Sequence, residues 1–156
     1  MLFVVEYGKQ LAAILDADAD IVEIAALLHD YASIKDQVLY EEHHLHGPRE
    51  AESLLQERGY PCATILAVKD CIASHRASTG AKQRAKEAIC LASADAMAHI
   101  AHIPSLLYLA YVQRQMTIDE GSKWVRDKVQ RSWNKLCPEA REIIQEQYES
   151  ALNVLP

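Results

Sequence analysis

Apolar residues recur along this 156-residue chain at helical spacing, and the residues that interrupt helices are scarce: 5 Gly and 5 Pro in all. So little loop-forming material favours helices, and no alternation of apolar and polar positions is long enough to indicate a strand. The pattern predicts an all-α protein. Its length suits one domain with a sizeable core, and its 50% hydrophobic and 24% charged residues are ordinary for a globular fold.

Leu2, Val5, Leu11, Ile14 and Leu15 place a first helix over residues 2–15. Asp18 or Asp20 can cap a second, in which Ile21, Ile24, Ala25 and Leu28 face one way and which ends at His29-Asp30. Residues 32–46 read as a loop or short helices, and Pro48 is expected in the first turn of the next helix. Gly59-Tyr60-Pro61 ends that helix and opens another, with Ile65, Val68, Ile72 and His75 on one stripe. After a small-residue loop at 77–82, a longer helix is predicted from about Gln83 to His102, with Ala88, Leu91, Ala92 and Asp95 in register, until Ile103-Pro104 interrupts it. Thr117 or Asp119 can cap a helix carrying Val125, Val129, Trp133 and Leu136; a last helix from Pro138, with Ala140, Ile144, Tyr148 and Leu155, would complete an antiparallel hairpin.

The net charge of −6 argues against broad binding to nucleic-acid phosphates, which needs clustered Lys and Arg. No apolar run approaches the roughly 20 residues of a membrane span, and no basic segment leads a cleavable apolar one, so a cytoplasmic protein is expected. Cys62, Cys71, Cys90 and Cys137 form no C-x-x-C pair and read as reduced, small core residues rather than as a thiolate site. Trp124, Trp133, Tyr108 and Tyr111 suit core packing first, and a homodimer interface second.

Chemistry gathers at the ends of the apolar stripes. His75 lies three residues after Ile72 and shares its core-facing side; Asp95 lies four after Leu91, which sets a carboxylate on a face otherwise fit for burial. A buried carboxylate requires a cation, a strong donor or a raised pKa. Alone, Asp95 could cap a helix or pair with an Arg, and a single His at a helix end is usually a hydrogen-bonded core residue. The ordered series is more specific: His29-Asp30 closing Ala-Ala-Leu-Leu, His43-His44 before Gly47, His75, and Asp95 within Ala-Ser-Ala-Asp-Ala-Met.

That series resembles the HD superfamily of metal-dependent phosphohydrolases, over roughly residues 1–103; residues 104–156 add helical packing and no motif. The resemblance implies a single HD-type helical domain over 1–156 with a C-terminal helical hairpin, and one or two divalent transition ions (Mn, Fe, Zn, Ni or Co), which mixed imidazole and carboxylate ligands suit. Carried over by residue, His29, Asp30 and Asp95 are ligands of a first metal, with Asp30 able to bridge. His75 and His43, with His44 as the alternate, are ligands of a second. The implied mechanism is hydrolysis of a small phosphorylated molecule, an ester or anhydride such as a nucleotide, by metal-activated water, with His29 and Asp30 at the catalytic centre. Lys35, Arg49 and Arg76 are candidates for holding phosphate, although surface positions are their ordinary use.

Two departures stand out. The superfamily's leading His belongs on the first helix, and no residue before His29 is a histidine. That helix is periodic from its second residue and has no cap, so a start placed too late is the simplest expectation; an in-frame upstream extension with His would support it and an immediate upstream stop codon would overturn it. The second departure is Ser33, where many members carry Lys three residues after the Asp of the pair, with Lys35 the nearest. The alternative is a regulatory or interaction module that kept the fold and lost the chemistry.

Overall fold

A computed structural model describes residues 2–32, 43–75 and 85–155, and among these the chain is helical and has no strand. The helices are α1 (Leu2–Leu15), α2 (Ala19–Leu28), α3 (His43–Glu57), α4 (Cys62–Ser74), α5 (Lys86–Ala101), α6 (Ile103–Tyr108), α7 (Ile118–Trp133) and α8 (Pro138–Val154), with a π-helical turn at Leu109–Gln113. They form an all-α bundle whose contacts group into two compact units, Met1–Ala94 and Asp95–Pro156. No described helix is long and apolar enough to cross a membrane.

In the first unit, α1 and α2 pack along a seam that sequence periodicity misplaces. The buried residues of α1 are Val4, Gly8, Leu11 and Ala12, whereas Leu2 and Ile14, expected inside, are 74% and 51% exposed. Small residues explain the rotation. A Cβ on Gly8 would stand 2.9 Å from Val22 Cγ1, so the helices meet where α1 has no side chain. Asp18 caps α2 as expected, its carboxylate accepting from the N–H groups of Asp20 at 3.0 Å and Ile21 at 3.2 Å. Ile21, Val22, Ala25 and Ala26 then run along the buried face to His29.

Helix α3 begins at His43, so Pro48 lies inside it rather than in its first turn. A proline this near the start forfeits one helical hydrogen bond, to the carbonyl of residue 44, and the turns beyond it carry the helix. The other end is as read. Gly59 adopts φ +72°, its N–H donates to Gln56 O and that of Tyr60 to Leu55 O, both at 3.0 Å: a Schellman closure in which glycine takes the left-handed position. Pro61 then precedes α4, whose Ile65, Val68, Cys71 and Ile72 are buried, with His75 at its C-cap. Helix α5 is fastened at its start: Glu87 accepts from the Asp18 N–H at 3.0 Å, and Lys86 Nζ donates to Asp16 O at 3.1 Å.

In the second unit, Thr117 and Glu120 form a reciprocal capping box at the start of α7. The expected hairpin of α7 and α8 is present. Trp133 stacks on Tyr148 with centroids 4.1 Å apart, and Arg126 donates to the carbonyls of Leu152, at 3.0 Å, and of Leu155. A cation there complements the C-terminal end of α8. Tyr111 lies over Gly121 and its hydroxyl bonds Ser122 Oγ at 2.8 Å, while Arg114 lies 4.8 Å above the Trp124 ring. Of the four aromatics considered for an interface, Tyr108 is the exposed one, at 56%. All four cysteines are free; Cys71 and Cys90 are core residues, but Cys62, at the first position of α4, is exposed.

Candidate metal centre

His29 and His75 are both 98% buried, each at the C-cap of its helix. Each turns back on its own last turn: His29 Nδ1 lies 2.7 Å from Ala26 O, and His75 Nδ1 lies 2.5 Å from Ile72 O. A carbonyl oxygen only accepts, so Nδ1 carries the hydrogen in both rings, and in the neutral ring Nε2 keeps the lone pair. The contact also satisfies one of the carbonyls a helix leaves open at its end. The rings meet edge to face with centroids 5.6 Å apart.

The Asp30 carboxylate is half-exposed, and its Oδ2 lies 3.2 Å from His29 Nε2. A lone pair and a carboxylate oxygen repel at that distance. A second proton on the ring relieves this by forming an imidazolium–carboxylate pair; a cation ligated by both groups relieves it equally. Two ligands about 2.1 Å from one transition ion, at 90–109°, stand roughly 3.0–3.4 Å apart. The spacing and the tautomer of the pair therefore fit such an ion. Among the described residues, no group of three or more His, Cys, Asp or Glu side chains is placed to hold one.

Helix α3 reaches this site through its backbone. A Cβ on Gly47 would stand 3.3 Å from Ile72 Cγ2 and 3.4 Å from His29 O, so the glycine lies against both histidine-bearing helix ends. His43 and His44 are in the first turn of α3, with His43 one turn before Gly47; their side chains lie outside the described part of the structure. Asp95 belongs to the second unit, on α5, with 18% of its side chain exposed and Oδ1 3.8 Å from His99 Nδ1. Arg49 is exposed on α3. Lys35 and Arg76 lie outside the described residues, as does Ser33.

Two features escaped the sequence. Gly47 served only as a spacing mark, although its missing side chain is what lets α3 approach. His99 drew no notice, although its i,i+4 relation to Asp95 was the available signal. The Cys71 thiol adds no donor of comparable kind: burial first, then the charges of Glu87 and Asp70 and the neighbouring Cys90, push it up to about 12.

Comparison with known families places the chain where its fold and its His-Asp helix end point. Residues 1–99 match the HD domain, and the chain belongs to that family. Its curated and structural comparisons yield no match.

Proposed function

We propose that the chain is a metal-dependent phosphohydrolase acting on a phosphate ester or anhydride of a small molecule, a nucleotide being one such substrate. The observation that carries this reading is His29, whose Nδ1 is anchored on Ala26 O while Nε2 faces the Asp30 carboxylate at 3.2 Å. Membership of the HD family supports it, since that superfamily is one of metal-dependent phosphohydrolases.

His29 and Asp30 would hold the first ion; His75, with His43 or His44, would hold a second. Bound there, a divalent transition ion supplies an activated water and neutralises charge on a phosphoryl oxygen. The chain's own contribution is orientation. The Ala26 and Ile72 carbonyls fix each ring's tautomer and plane before any ligand arrives, and burial keeps both rings from turning to solvent. Lys35, Arg49 and Arg76 are the basic side chains proposed to hold phosphate.

The test is metal content of the purified full chain by elemental analysis, with hydrolysis of p-nitrophenyl phosphate and of nucleotides in added Mn or Ni, beside Asp30→Ala. Bound transition metal and turnover that both vanish in the variant support the reading. Wild-type chain that takes up no metal and hydrolyses none of these substrates overturns it.

A further inference from the structure

The residues around Trp124 line an open cavity of about 430 Å³ that lies wholly within the second unit. Small-molecule sites run from roughly 300 to 1,000 Å³. Four charged side chains border it: Arg114, Glu120, Lys123 and Asp127. Three of these are already engaged. Lys123 donates to Asp127 at 2.7 Å, and Glu120 accepts from the Thr117 hydroxyl at 2.8 Å and backbone N–H at 3.1 Å, at the positive end of α7. Arg114 differs. Among the described residues its guanidinium has no ion-pair or hydrogen-bond partner, and the cations that hold the Asp127 carboxyl low are Lys123, through its hydrogen bond first, then Arg131 and Arg126.

The Arg114 guanidinium lies 4.8 Å above the Trp124 ring. A guanidinium stacked on an aromatic face keeps its N–H fork in plane and open to an anion. The backbone that carries it is held on both sides. The Arg114 N–H donates to Leu109 O and the Met116 N–H to Ala110 O, both at 3.0 Å, and Gln115 between them takes the left-handed φ of +54° with its Nε2 on Val112 O at 2.6 Å. Such fixing lowers the ordering cost of binding.

From this arrangement we infer that the cavity beside Trp124 is a binding site for a small carboxylate with an apolar body. The carboxylate takes the Arg114 fork in a bidentate pair, and the body packs on the Met116 and Trp124 side chains that line the cavity. A singly charged planar group matches one unengaged cation. A phosphate dianion would bring a second charge towards Glu120 and Asp127, with no further free cation among the lining residues to offset it. The site is independent of the proposed metal centre.

The isotope-labelled full chain is titrated with benzoate, benzyl alcohol and phenyl phosphate and followed by protein NMR. The three probes share a ring and differ in charge. The chain has two tryptophans, hence two indole N–H signals, which Trp124→Phe assigns. With benzoate the Trp124 signal should move and saturate while that of Trp133 stays. Benzyl alcohol should not saturate it, and phenyl phosphate should bind more weakly than benzoate. In Arg114→Ala, with circular dichroism as the control on folding, benzoate affinity should fall about tenfold or more; Arg114→Lys, which keeps the charge and loses the fork, should fall between the two. Equal responses to benzoate and benzyl alcohol, no saturation by benzoate, or wild-type affinity in Arg114→Ala each overturns the inference. Tighter binding of phenyl phosphate overturns the assignment to carboxylates. If Arg114→Ala does not fold, benzoate against benzyl alcohol on the wild-type chain decides.

Discussion

His29 and His75 lie edge to face, 5.6 Å between ring centroids, and each donates Nδ1–H to the carbonyl three residues before it. Two helices that are distant in sequence thus end in the same way, and their last side chains share one buried contact. The rings are coupled, and the coupling is measurable. Replacing either by Ala leaves a cavity and removes a buried hydrogen bond, at a cost of about 2–4 kcal/mol. In a double-mutant cycle read by urea denaturation, the coupling energy should be about 0.5 kcal/mol or more. Strict additivity would mean that the rings do not touch.

Helix contacts built on absent side chains predict an order of sensitivity to Ala. At Gly121 an added Cβ would stand 2.3 Å from Tyr111 Cε1, in a ring held through its hydroxyl; at Gly8 it would stand 2.9 Å from the buried, branched Val22; at Gly47 it would stand 3.3 Å from Ile72 Cγ2. Alanine returns up to about 1 kcal/mol of helix propensity at each position, while overpacking typically costs about 1–3 kcal/mol. The propensity gain should offset the strain at Gly47 and fail to do so at the other two. Thermal melts should rank Gly121→Ala below Gly8→Ala, and both below a near-neutral Gly47→Ala. Gly47→Val, with a branch aimed at Ile72 and His29 O, should be clearly destabilised.

The same contacts show how much was legible in the sequence. Helix α2 with its Asp18 cap, the His75 stripe of α4, and the start of α8 at Pro138 follow from periodicity and capping chemistry, which act over a few neighbouring residues. The buried face of α1 did not follow, because a search for bulky apolar positions passes over Gly8 and Ala12, where the chain packs by lacking bulk. Pro48 misled for a related reason: a preference for first turns is statistical, and α3 tolerates one missing bond. At the candidate site, residue types and order were enough to nominate His29, Asp30 and His75. What could not be read was how the imidazoles are held, since a carbonyl three residues back becomes available only where the helix ends.

At the start of α7, the Thr117 hydroxyl and backbone N–H hold the Glu120 carboxyl below its ordinary value. The folded state therefore favours ionised Glu120, and the stability this contributes is present above the ordinary carboxyl range and lost as pH falls through the depressed value. Thr117→Ala should destabilise the protein by about 1 kcal/mol at neutral pH through loss of the cap. It should also flatten the decline in stability below pH about 4.5. Parallel acid limbs for wild type and variant, in denaturant melts at several pH values, would show that the box is not formed in solution.

Thiol reactivity tests the division of the cysteines into core and surface. Cys62 is exposed at the first position of α4, whereas the Cys71 thiol is buried nine residues later and pushed up to about 12. At pH 8 a disulfide reagent should find Cys62 first, and Cys62→Ser should remove the fast phase. Cys71 and the equally buried Cys90 should react only when the protein unfolds. Because the folded value for Cys71 is raised, its sign is opposite to that of Glu120. The unfolded thiol ionises from about pH 9 while the folded one stays protonated, so stability should fall as pH rises from 9 towards 12. Cys71→Ala should reduce that alkaline loss, since it removes the group whose ionisation favours unfolding. A Cys71 thiol that reacts at pH 8 as fast as Cys62 would place it at the surface and return the thiolate reading to consideration.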